Sequence, residues 1–557
     1  MTRGTISVEG ESILLRSGQA KVRIEAWGRD GIRVRATTLE EILHDLPGSL
    51  LEQERAEAEV SFDGKVAEIR NGVTTVKVEL EPLQGWPIPW RISFHDNDGR
   101  ELLGEKLDRF RRWPGVYLKH SSGDQFRAEA RFQAHEGERF YGLGQHQHGL
   151  LDQKGCVIDL IQGNTEVPIP FLYSNRGYGF LWNNPGIGRV ELGTSETRWV
   201  ADSTRQMDYW VTAGSPRQVM ERYAEATGHT PMMPEWAAGF WQCKLRYRTQ
   251  EELMEVAREY RRRGLPLSVI VADFFHWTLM GEWRFDPEAW PDPAGMVEEL
   301  EEMGVKLMVS IWPSVNPLSE NFHEMQEKGL LVGTEKGIPA HTVFADRRPE
   351  GPMYMHYYDS TNPEARKYIW GKVKEGYYDH GIRVWWLDAC EPEIYPFDPE
   401  NLRFHLGNGA EVANLYPLMH QRAFHEGMRA EGEEEIVTLC RAAWAGSQRY
   451  GAAVWSGDIP STFEALRVQV VAGLNMAMSG IPWWNTDIGG FHDGDLRSPS
   501  FRELIVRWFQ YGVFTPILRL HGHRLPALAR LPDMGFTGGP TRSGASERRP
   551  MRSSRGS

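Results

Sequence analysis

The chain has 557 residues, of which 41% are hydrophobic and 25% charged, a composition typical of folded globular proteins and not of disordered or fibrous ones. Its net charge of −13 argues against binding to nucleic acid or to an anionic membrane surface. No apolar run approaches the roughly 18 residues of a membrane span, and the first residues lack the apolar core of a signal peptide. The four cysteines are too sparse for a disulfide framework. We therefore expect a cytoplasmic protein.

The 21 tryptophans supply many flat apolar faces, the kind of surface against which sugar rings stack. A large, well-packed core explains the same number equally well. Composition alone therefore leaves both explanations open.

The first part of the chain predicts short strands separated by turns. Apolar and polar residues alternate in segments such as 21–25, 73–80 and 197–200, which is the pattern of half-buried strands. No long helical period occurs before residue 216. We predict an N-terminal β-sandwich domain over residues 1–225.

After Pro234 short apolar runs alternate with amphipathic helices. Helices are predicted to begin at Thr249 and Asn362, and Phe463, Leu466, Val470 and Leu474 are predicted to mark the buried face of a third. Eight strand-like runs precede or separate the helices, near 239–246, 268–273, 306–311, 383–388, 436–441, 452–458, 481–487 and 515–521. Eight β-then-α units predict an α/β fold, a (β/α)8 TIM barrel, over residues 235–523. The stretch near 313–360 is too long for one loop and predicts an insertion.

The end of the chain differs from the rest. Residues 524–557 contain seven arginines and no lysine, with glycine, proline and serine throughout, and they show no helical period. A disordered tail is one interpretation. We favour the other, in which the chain is shortened and out-of-frame residues are appended to it. In both cases the barrel would lack its last helix.

Four aspartates come at the ends of predicted strands. Asp273, Asp388, Asp458 and Asp487 end the second, fourth, sixth and seventh runs. A single aspartate after a strand is usually a cap or turn residue. Because the active site of a barrel lies at the carboxyl ends of its strands, four in the same position are expected to converge on one pocket.

Paired carboxylates in an aromatic pocket suit glycoside hydrolysis, in which one acts at the anomeric carbon and the other protonates the leaving oxygen. Metal binding is the competing use, but the sequence has no Asp-x-Asp-x-Asp loop. Zinc at His521 and His523, or at His146 and His148, would need a third ligand that the sequence does not identify. There is also no Walker loop, nucleophile elbow or dinucleotide fingerprint. We expect no metal and no cofactor.

Several stretches resemble the motifs of glycoside hydrolase family 31, the retaining α-glucosidases and α-xylosidases. In barrel order they are Trp386-Leu387-Asp388-Ala389-Cys390-Glu391, Arg441-Ala442-Ala443-Trp444, Trp455-Ser456-Gly457-Asp458, Trp484-Asn485-Thr486-Asp487 and Arg519-Leu520-His521-Gly522. Phe140-Tyr141-Gly142-Leu143-Gly144-Gln145 and Pro170-Phe171-Leu172-Tyr173-Ser174 resemble the first domain of that family. The resemblance spans residues 135–523. Cys390 departs from the small or polar residue more usual before Glu391.

The resemblance implies that Asp388 is the nucleophile and Asp458 the general acid/base of a retaining mechanism. It further implies that Asp273, Arg441, Asp487 and His521 hold the sugar. Arg441 is expected to keep Asp388 ionised, whereas a drier site and a like charge are expected to keep Asp458 protonated. Trp312 and Trp386 are expected to line the apolar face of the sugar, with packing of the barrel as the alternative.

The sugar is predicted to be α-xylose. The second-strand segment, with Phe274, Phe275, Trp277 and Trp283, resembles bacterial α-xylosidases, and bulky aromatic rings there would fill the space of the glucose hydroxymethyl group. An α-glucosidase of the same family is the alternative.

Two further alternatives remain open, a non-catalytic carbohydrate-binding protein and an inactive, truncated product of an enzyme gene. The expected partner is a small-molecule or oligosaccharide substrate, without nucleic acid or membrane, and the composition is compatible with a homo-oligomer. The family normally carries further β-domains after the barrel, and none is predicted here.

Overall fold

The structure is a computed structural model that describes residues 5–53, 57–80, 90–106, 116–121, 123–348 and 351–524. Of the predicted tail, only Arg524 falls within these residues. The described helices include none that is both long and apolar enough to cross a bilayer.

Within the described residues up to 213, the regular elements of the N-terminal part are strands. They are β1 (Thr5–Glu9), β2 (Ser12–Ser17), β3 (Ala20–Ala26), β4 (Gly31–Thr37), β5 (Glu59–Phe62), β6 (Val66–Asn71), β7 (Thr74–Glu79), β8 (Arg91–His95), β9 (Glu101–Gly104), β10 (Val116–His120), β11 (Phe126–Gln133), β12 (Phe140–Gln145), β13 (Val157–Leu160), β14 (Val167–Ser174), β15 (Tyr178–Trp182), β16 (Gly188–Leu192), β17 (Glu196–Thr204) and β18 (Met207–Ala213).

These strands form three antiparallel sheets, in the orders β1-β2-β3-β4-β18-β15-β14-β12, β10-β11-β17-β16-β13 and β5-β6-β7-β8-β9. Aromatic side chains fill the space between the first two sheets. Phe180 stacks on Trp199 with ring centroids 4.8 Å apart, and Trp182 lies 6.0 Å from the same ring. The alternation of buried and exposed residues that predicts the strands therefore corresponds to sheet faces that meet in a common core.

The remaining strands belong to the barrel or to the segments inserted between its units. They are β19 (Phe240–Gln242), β20 (Val269–Ala272), β21 (Lys306–Ile311), β22 (Ser314–Val315), β23 (Gly333–Thr334), β24 (Thr342–Ala345), β25 (Pro352–Tyr357), β26 (Val384–Leu387), β27 (Leu402–Phe404), β28 (Gly407–Asn408), β29 (Thr438–Cys440), β30 (Ala452–Trp455), β31 (Trp484–Asn485) and β32 (Leu518–Leu520).

Nine helices accompany the strands in the described residues. They are α1 (Pro216–Thr227), α2 (Gln250–Arg262), α3 (Pro293–Glu302), α4 (Phe322–Glu327), α5 (Pro363–Gly376), α6 (Gly409–Val412), α7 (Tyr416–Ala430), α8 (Phe463–Met478) and α9 (Pro499–Gly512).

The barrel is a parallel sheet in the order β31-β30-β29-β26-β21-β20-β19-β32. Each of the eight predicted runs contains one of these strands, so the predicted (β/α)8 fold is confirmed. Between β21 and α5 lie β22 to β25 and α4. The predicted domain limits at residues 225, 235 and 523 stay predictions.

The buried face of α8 differs from the predicted one. Phe463 is 46% exposed, Val470 38% and Leu474 50%, whereas Ala465, Val468, Gln469, Ala472, Asn475 and Met476 are buried. The smaller residues face inward because α8 packs closely against β12 of the N-terminal sheets. The positions of the large apolar residues therefore indicate the wrong face of α8, because close approach to β12 requires small residues.

Two glycines of β12 make this approach direct. The Gly142 N–H donates to Asn475 Oδ1 over 3.0 Å, and the Gly144 N–H donates to Ser479 Oγ over 2.8 Å. Gly144 has a φ of +86°, and a Cβ there would overlap the carbonyl of Val167. The first domain is thus hydrogen-bonded to the barrel beside the strands that carry the site.

Candidate active site

Seven of the eight barrel strands bring a predicted residue to the same end of the barrel. The predicted residues Asp273, Trp312, Asp388, Arg441 and His521 each follow the last residue of a strand directly, and Asp458 and Asp487 follow within three residues. Since the strands are parallel neighbours, these side chains share the carboxyl-terminal edge, where barrel enzymes carry their active sites.

Arg441 holds three carboxylates near this edge. Its Nε donates to Glu391 Oε1 over 2.6 Å, its Nη2 donates to Glu393 Oε2 over 2.5 Å, and its Nη1 lies 3.3 Å from Asp388 Oδ1. The predicted contact between Arg441 and Asp388 is present, but this cation also has two other partners. The group therefore carries more negative than positive charge.

Asp388 is the more buried of the two predicted catalytic carboxylates. Burial raises its pKa to about 7, because the lowering by Arg441 is outweighed by burial and by the charges of Asp458 and Glu391. Asp388 is 8% exposed, while Asp458 is half-buried. The strong burial expected for Asp458 is therefore found at Asp388 instead, and the acid/base role of Asp458 stays a prediction.

Asp388 and Asp273 share one local geometry. Asp388 Oδ1 accepts the N–H of Ala389 over 2.8 Å, and Asp273 Oδ1 accepts the N–H of Phe274 over 2.7 Å. In both cases one carboxylate oxygen is fixed by the following amide. Ala389 has a φ of +53°, a strained conformation of the kind that clusters at functional sites.

Asp273 lies beside His521 and Cys243. His521 Nε2 is 3.9 Å from Asp273 Oδ2, and the ligand atoms of the three buried residues are within 4.8 Å of one another. Burial raises the pKa of Asp273 well above its ordinary value and lowers that of His521 well below its own. Cys243 directly follows β19, so the strand-end rule that selected the aspartates would also have selected this cysteine. The ligand atoms of these three residues are close enough to hold a metal ion, a set that was not predicted from the sequence. Their neutral forms are equally suited to hydrogen bonding with hydroxyl groups.

Asp487 is fully buried and forms an ion pair with Arg519. Burial raises the pKa of Asp487 to about 6 despite the lowering by Arg519. Arg519 also donates to Asn485 Oδ1 over 3.0 Å. Arg519 opens the motif Arg519-Leu520-His521-Gly522, in which only His521 has a predicted role. Arg519 neutralises a carboxylate that would otherwise be unpaired in the barrel interior.

The two predicted tryptophans have different surroundings. Trp386 is 2% exposed and meets Trp455 and His521 edge-on, with centroids 5.3 and 5.1 Å away. Arg519 lies 5.2 Å from the centre of the Trp386 ring. These contacts favour the packing alternative for Trp386. Trp312 instead belongs to an aromatic cluster near the mouth of the barrel.

That cluster contains four of the residues predicted for sugar selection or stacking. Phe274 stacks on Phe275 at 4.2 Å and on Trp312 at 5.6 Å, and Trp277 meets Phe275 edge-on at 6.1 Å. Trp283 belongs to a separate hydrophobic cluster, where its indole N–H donates to the Trp312 carbonyl over 3.0 Å. Trp283 therefore supports the cluster from behind and does not extend it.

Five buried polar atoms of the predicted site residues have no hydrogen-bond partner within the described part of the chain. They are Asp273 Oδ2, Asp487 Oδ2, His521 Nδ1, Trp312 Nε1 and Trp386 Nε1. Buried polar groups are nearly always paired in folded proteins. Five unpaired atoms at one edge of the barrel are therefore suited to a ligand that offers both hydrogen-bond donors and acceptors. Sugar hydroxyls offer both.

One contributor to the site comes from outside the barrel. Asn164, in the segment between β13 and β14, hydrogen-bonds to Asp458 at two positions. No signal near Asn164 in the sequence points to this contact, because the two residues are 294 positions apart.

Comparisons with known proteins agree with this architecture. Residues 230–534 match the TIM-barrel domain of glycosyl hydrolases family 31, and residues 21–191 match the N-terminal galactose mutarotase-like domain of glycosyl hydrolase 31. The crystal structure of a GH31 α-xylosidase from a soil metagenome, complexed with xylose, superposes with a TM-score of 0.89 at 47% identity, over 94% of this chain and 78% of that chain.

Curated relatives fall in the same group. A protein of Pseudescherichia vulneris described as an uncharacterized family 31 glucosidase is 44% identical over 527 residues, which are 91% of this chain and 96% of that protein. An α-xylosidase of Saccharolobus solfataricus is 40% identical over 72% of this chain, and the match spans about half, 54%, of that longer protein. With both domain matches in the order that the structure shows, and the motif residues gathered at one barrel edge, the chain belongs to glycoside hydrolase family 31.

Proposed function

We propose that the protein is a retaining α-glycosidase that releases a terminal α-linked xylose. The observation that carries this proposal is that Asp388 and Asp458 lie close enough for the charge of Asp458 to raise the pKa of Asp388. Beside them are buried polar atoms that have no hydrogen-bond partner among the described residues. Hydrolysis with retention needs a carboxylate pair, one as nucleophile and one as acid/base.

In the first step Asp388 attacks the anomeric carbon through a carboxylate oxygen. The bond between that carbon and the leaving oxygen breaks, and Asp458 donates its proton to the leaving oxygen. The product is an alcohol and a β-linked glycosyl ester of Asp388. Asp388 must be ionised to attack, and Arg441 at 3.3 Å favours that form.

In the second step a water molecule attacks the anomeric carbon from the opposite face. Asp458, now ionised, takes the proton of the water, and the ester bond to Asp388 breaks. Xylose leaves with the α configuration restored, and both carboxyl groups return to their starting forms. Asp273, Asp487 and His521 are suited to bind hydroxyl groups throughout, since each has a buried atom free of protein partners within the described residues.

The choice of xylose rests on the aromatic cluster and on the relatives. Phe274, Phe275 and Trp312 are 6%, 2% and 8% exposed and would leave little room for a hydroxymethyl group. Among the relatives, both the Saccharolobus solfataricus protein and one from Aspergillus niger, 34% identical over 92% of this chain, are named α-xylosidases. An α-glucosidase is the second candidate, because the Pseudescherichia vulneris relative is described as a glucosidase.

The mechanism is tested with Asp458→Ala. Turnover of substrates with poor leaving groups should fall most, because activated aryl glycosides need less protonation. Azide should restore breakdown of the glycosyl ester and yield an α-glycosyl azide, identified by NMR. A β-azide, or equal losses with all leaving groups, would contradict the double displacement.

The sugar is tested by comparing kcat/KM for an aryl α-xyloside and the matching α-glucoside. We expect the xyloside to be preferred by roughly 10- to 200-fold, since excluding or admitting one small group is worth about 1–3 kcal/mol. Preference for the glucoside would move the assignment to the second candidate without affecting the proposed roles of the two aspartates.

A further inference from the structure

We propose that Asn164, which reaches the barrel from the N-terminal domain, is a positioning residue that aims the acidic proton of Asp458 at the substrate. The proposal rests on the acid/base role of Asp458 given above. It adds a residue of the N-terminal domain to a site whose other residues belong to the barrel.

The Asn164 amide contacts Asp458 at two points. Asn164 Oδ1 accepts the backbone N–H of Asp458 over 3.0 Å, and Asn164 Nδ2 donates to Asp458 Oδ2 over 2.7 Å. A backbone N–H can only donate, so the oxygen of the amide must face it. The NH₂ group must then face the carboxyl group, which fixes the orientation of the amide.

This orientation determines which oxygen carries the proton. The NH₂ group can only donate, so Oδ2 of Asp458 is an acceptor in both protonation states. When Asp458 is protonated, its carbonyl oxygen is the better acceptor for this bond, so the contact favours Oδ2 as the carbonyl oxygen and Oδ1 as the oxygen that carries the hydrogen. A half-buried carboxyl group on a short segment after β30 would otherwise exchange the two oxygens by rotation, and the contact removes that freedom.

The segment that carries Asn164 is itself firmly held. Gly163 and Glu166 exchange backbone hydrogen bonds of 2.9 and 3.1 Å, and Glu166 accepts the N–H of Gln147 over 3.0 Å. Its other carboxylate oxygen lies 2.7 Å from His146 Nδ1. These bonds tie the segment to the residues that follow β12, the strand that contacts α8.

The barrel side is shaped to receive this segment. Gly457, the residue before Asp458, has a φ of +73°, and a Cβ there would lie 2.6 Å from Asn164 Oδ1 and 2.6 Å from the backbone nitrogen of Thr165. Only glycine allows so close an approach in this conformation. The contact is therefore built into both domains.

The test uses Asn164→Ala and Asn164→Asp in the full chain. Asn164→Ala removes both contacts, whereas Asn164→Asp keeps an acceptor for the N–H of Asp458 and places a carboxylate oxygen where the NH₂ group donates to Asp458 Oδ2. We expect both variants to lose about 10- to 100-fold in kcat on an α-xyloside with a poor leaving group, but less than about threefold on an activated aryl α-xyloside. KM should change little.

The matched control is Gln162→Ala, in the same segment. Gln162 Nε2 donates to the Pro168 carbonyl over 3.1 Å, away from Asp458, so this variant should keep its activity on both substrates. Melting temperatures within about 3 °C of the parent would show that all variants fold.

Equal losses with both substrates, or losses in Asn164→Ala no greater than in Gln162→Ala, would overturn the proposal. So would parental activity of Asn164→Asp on the poor leaving group. If Asp458→Ala shows the leaving-group dependence and the Asn164 variants do not, the positioning role alone fails. If Asp458→Ala shows none, the proposed function fails with it.

Discussion

Replacing Asp388 by asparagine should stabilise the protein while it abolishes turnover. Asp388 shares one cation, Arg441, with Glu391 and Glu393, so Arg441 keeps two carboxylate partners after the change. Asparagine has the shape of the protonated aspartate without its charge. The variant therefore removes the unfavourable burial of a charge and leaves the arginine paired.

The size of the effect follows from the pKa of Asp388, which is raised from 3.8 to about 7 in the folded protein. Below pH 4 the group is protonated in both the folded and unfolded states, and the substitution changes nothing. Between pH 4 and pH 7 the unfolded chain releases a proton that the folded protein keeps, so the parent protein loses stability as the pH rises. At 1.36 kcal/mol per pH unit the loss is about 2 kcal/mol at pH 5 and about 4 kcal/mol at pH 8.

A cooperative unit of roughly 300 residues has an unfolding entropy of about 0.6 kcal/mol/K near its Tm. The Tm of Asp388→Asn should thus exceed that of the parent by about 7 °C at pH 8 and about 3 °C at pH 5. Differential scanning calorimetry at both pH values measures this, and an aryl α-xyloside assay checks the loss of kcat.

The matched control is Asp379→Asn, the same chemical change at a side chain that is 52% exposed and paired with Lys374. Its Tm should stay within about 1 °C of the parent at both pH values. A Tm of Asp388→Asn at or below that of the parent, or an equal gain at the two pH values, would refute the reasoning.

Three further outcomes are expected. Arg441→Met should lower the free energy of unfolding by about 3–5 kcal/mol in urea titrations, because it leaves buried carboxylates without a cation; an unchanged midpoint would contradict this. Glu391→Gln should move the acid limb of kcat/KM to lower pH, since it removes a charge that raises the pKa of Asp388; a shift to higher pH would be the opposite sign. Gly144→Ala should lower the Tm by several degrees, because its Cβ would overlap Val167, whereas Gly264→Ala, also at positive φ but with no neighbour within 4 Å, should lower it less.

Local patterns were sufficient to predict the barrel and most of the residues at its edge. The end of a strand is predicted from an apolar run within about ten residues. Asp273, Asp388 and Asp487 stand at the ends of such runs, where barrel enzymes carry their active sites. The same rule applies to Cys243, which was overlooked because a single cysteine carries no spacing signal.

Contacts between the two domains were not predictable in this way. Asn164 meets Asp458 only because β12 is fastened to α8, and the buried face of α8 consists of small residues that an apolar pattern does not mark. Burial also decides the protonation of Asp388, and burial depends on packing from several strands at once. Sequence patterns identify which groups are present, whereas their electrostatic surroundings require the assembled fold.

The hydrogen bonds between β12 and α8 also affect how the protein folds during synthesis. The hydrogen bond from Gly142 to Asn475 joins residues 333 positions apart, and contacts of such long range form late in folding. At about 5–20 residues per second the ribosome needs roughly 15–70 s to pass from one partner to the other. The N-terminal sheets must therefore present an uncovered strand to the cell for that time, and chaperone binding during synthesis is expected to concentrate on β12 until α8 emerges.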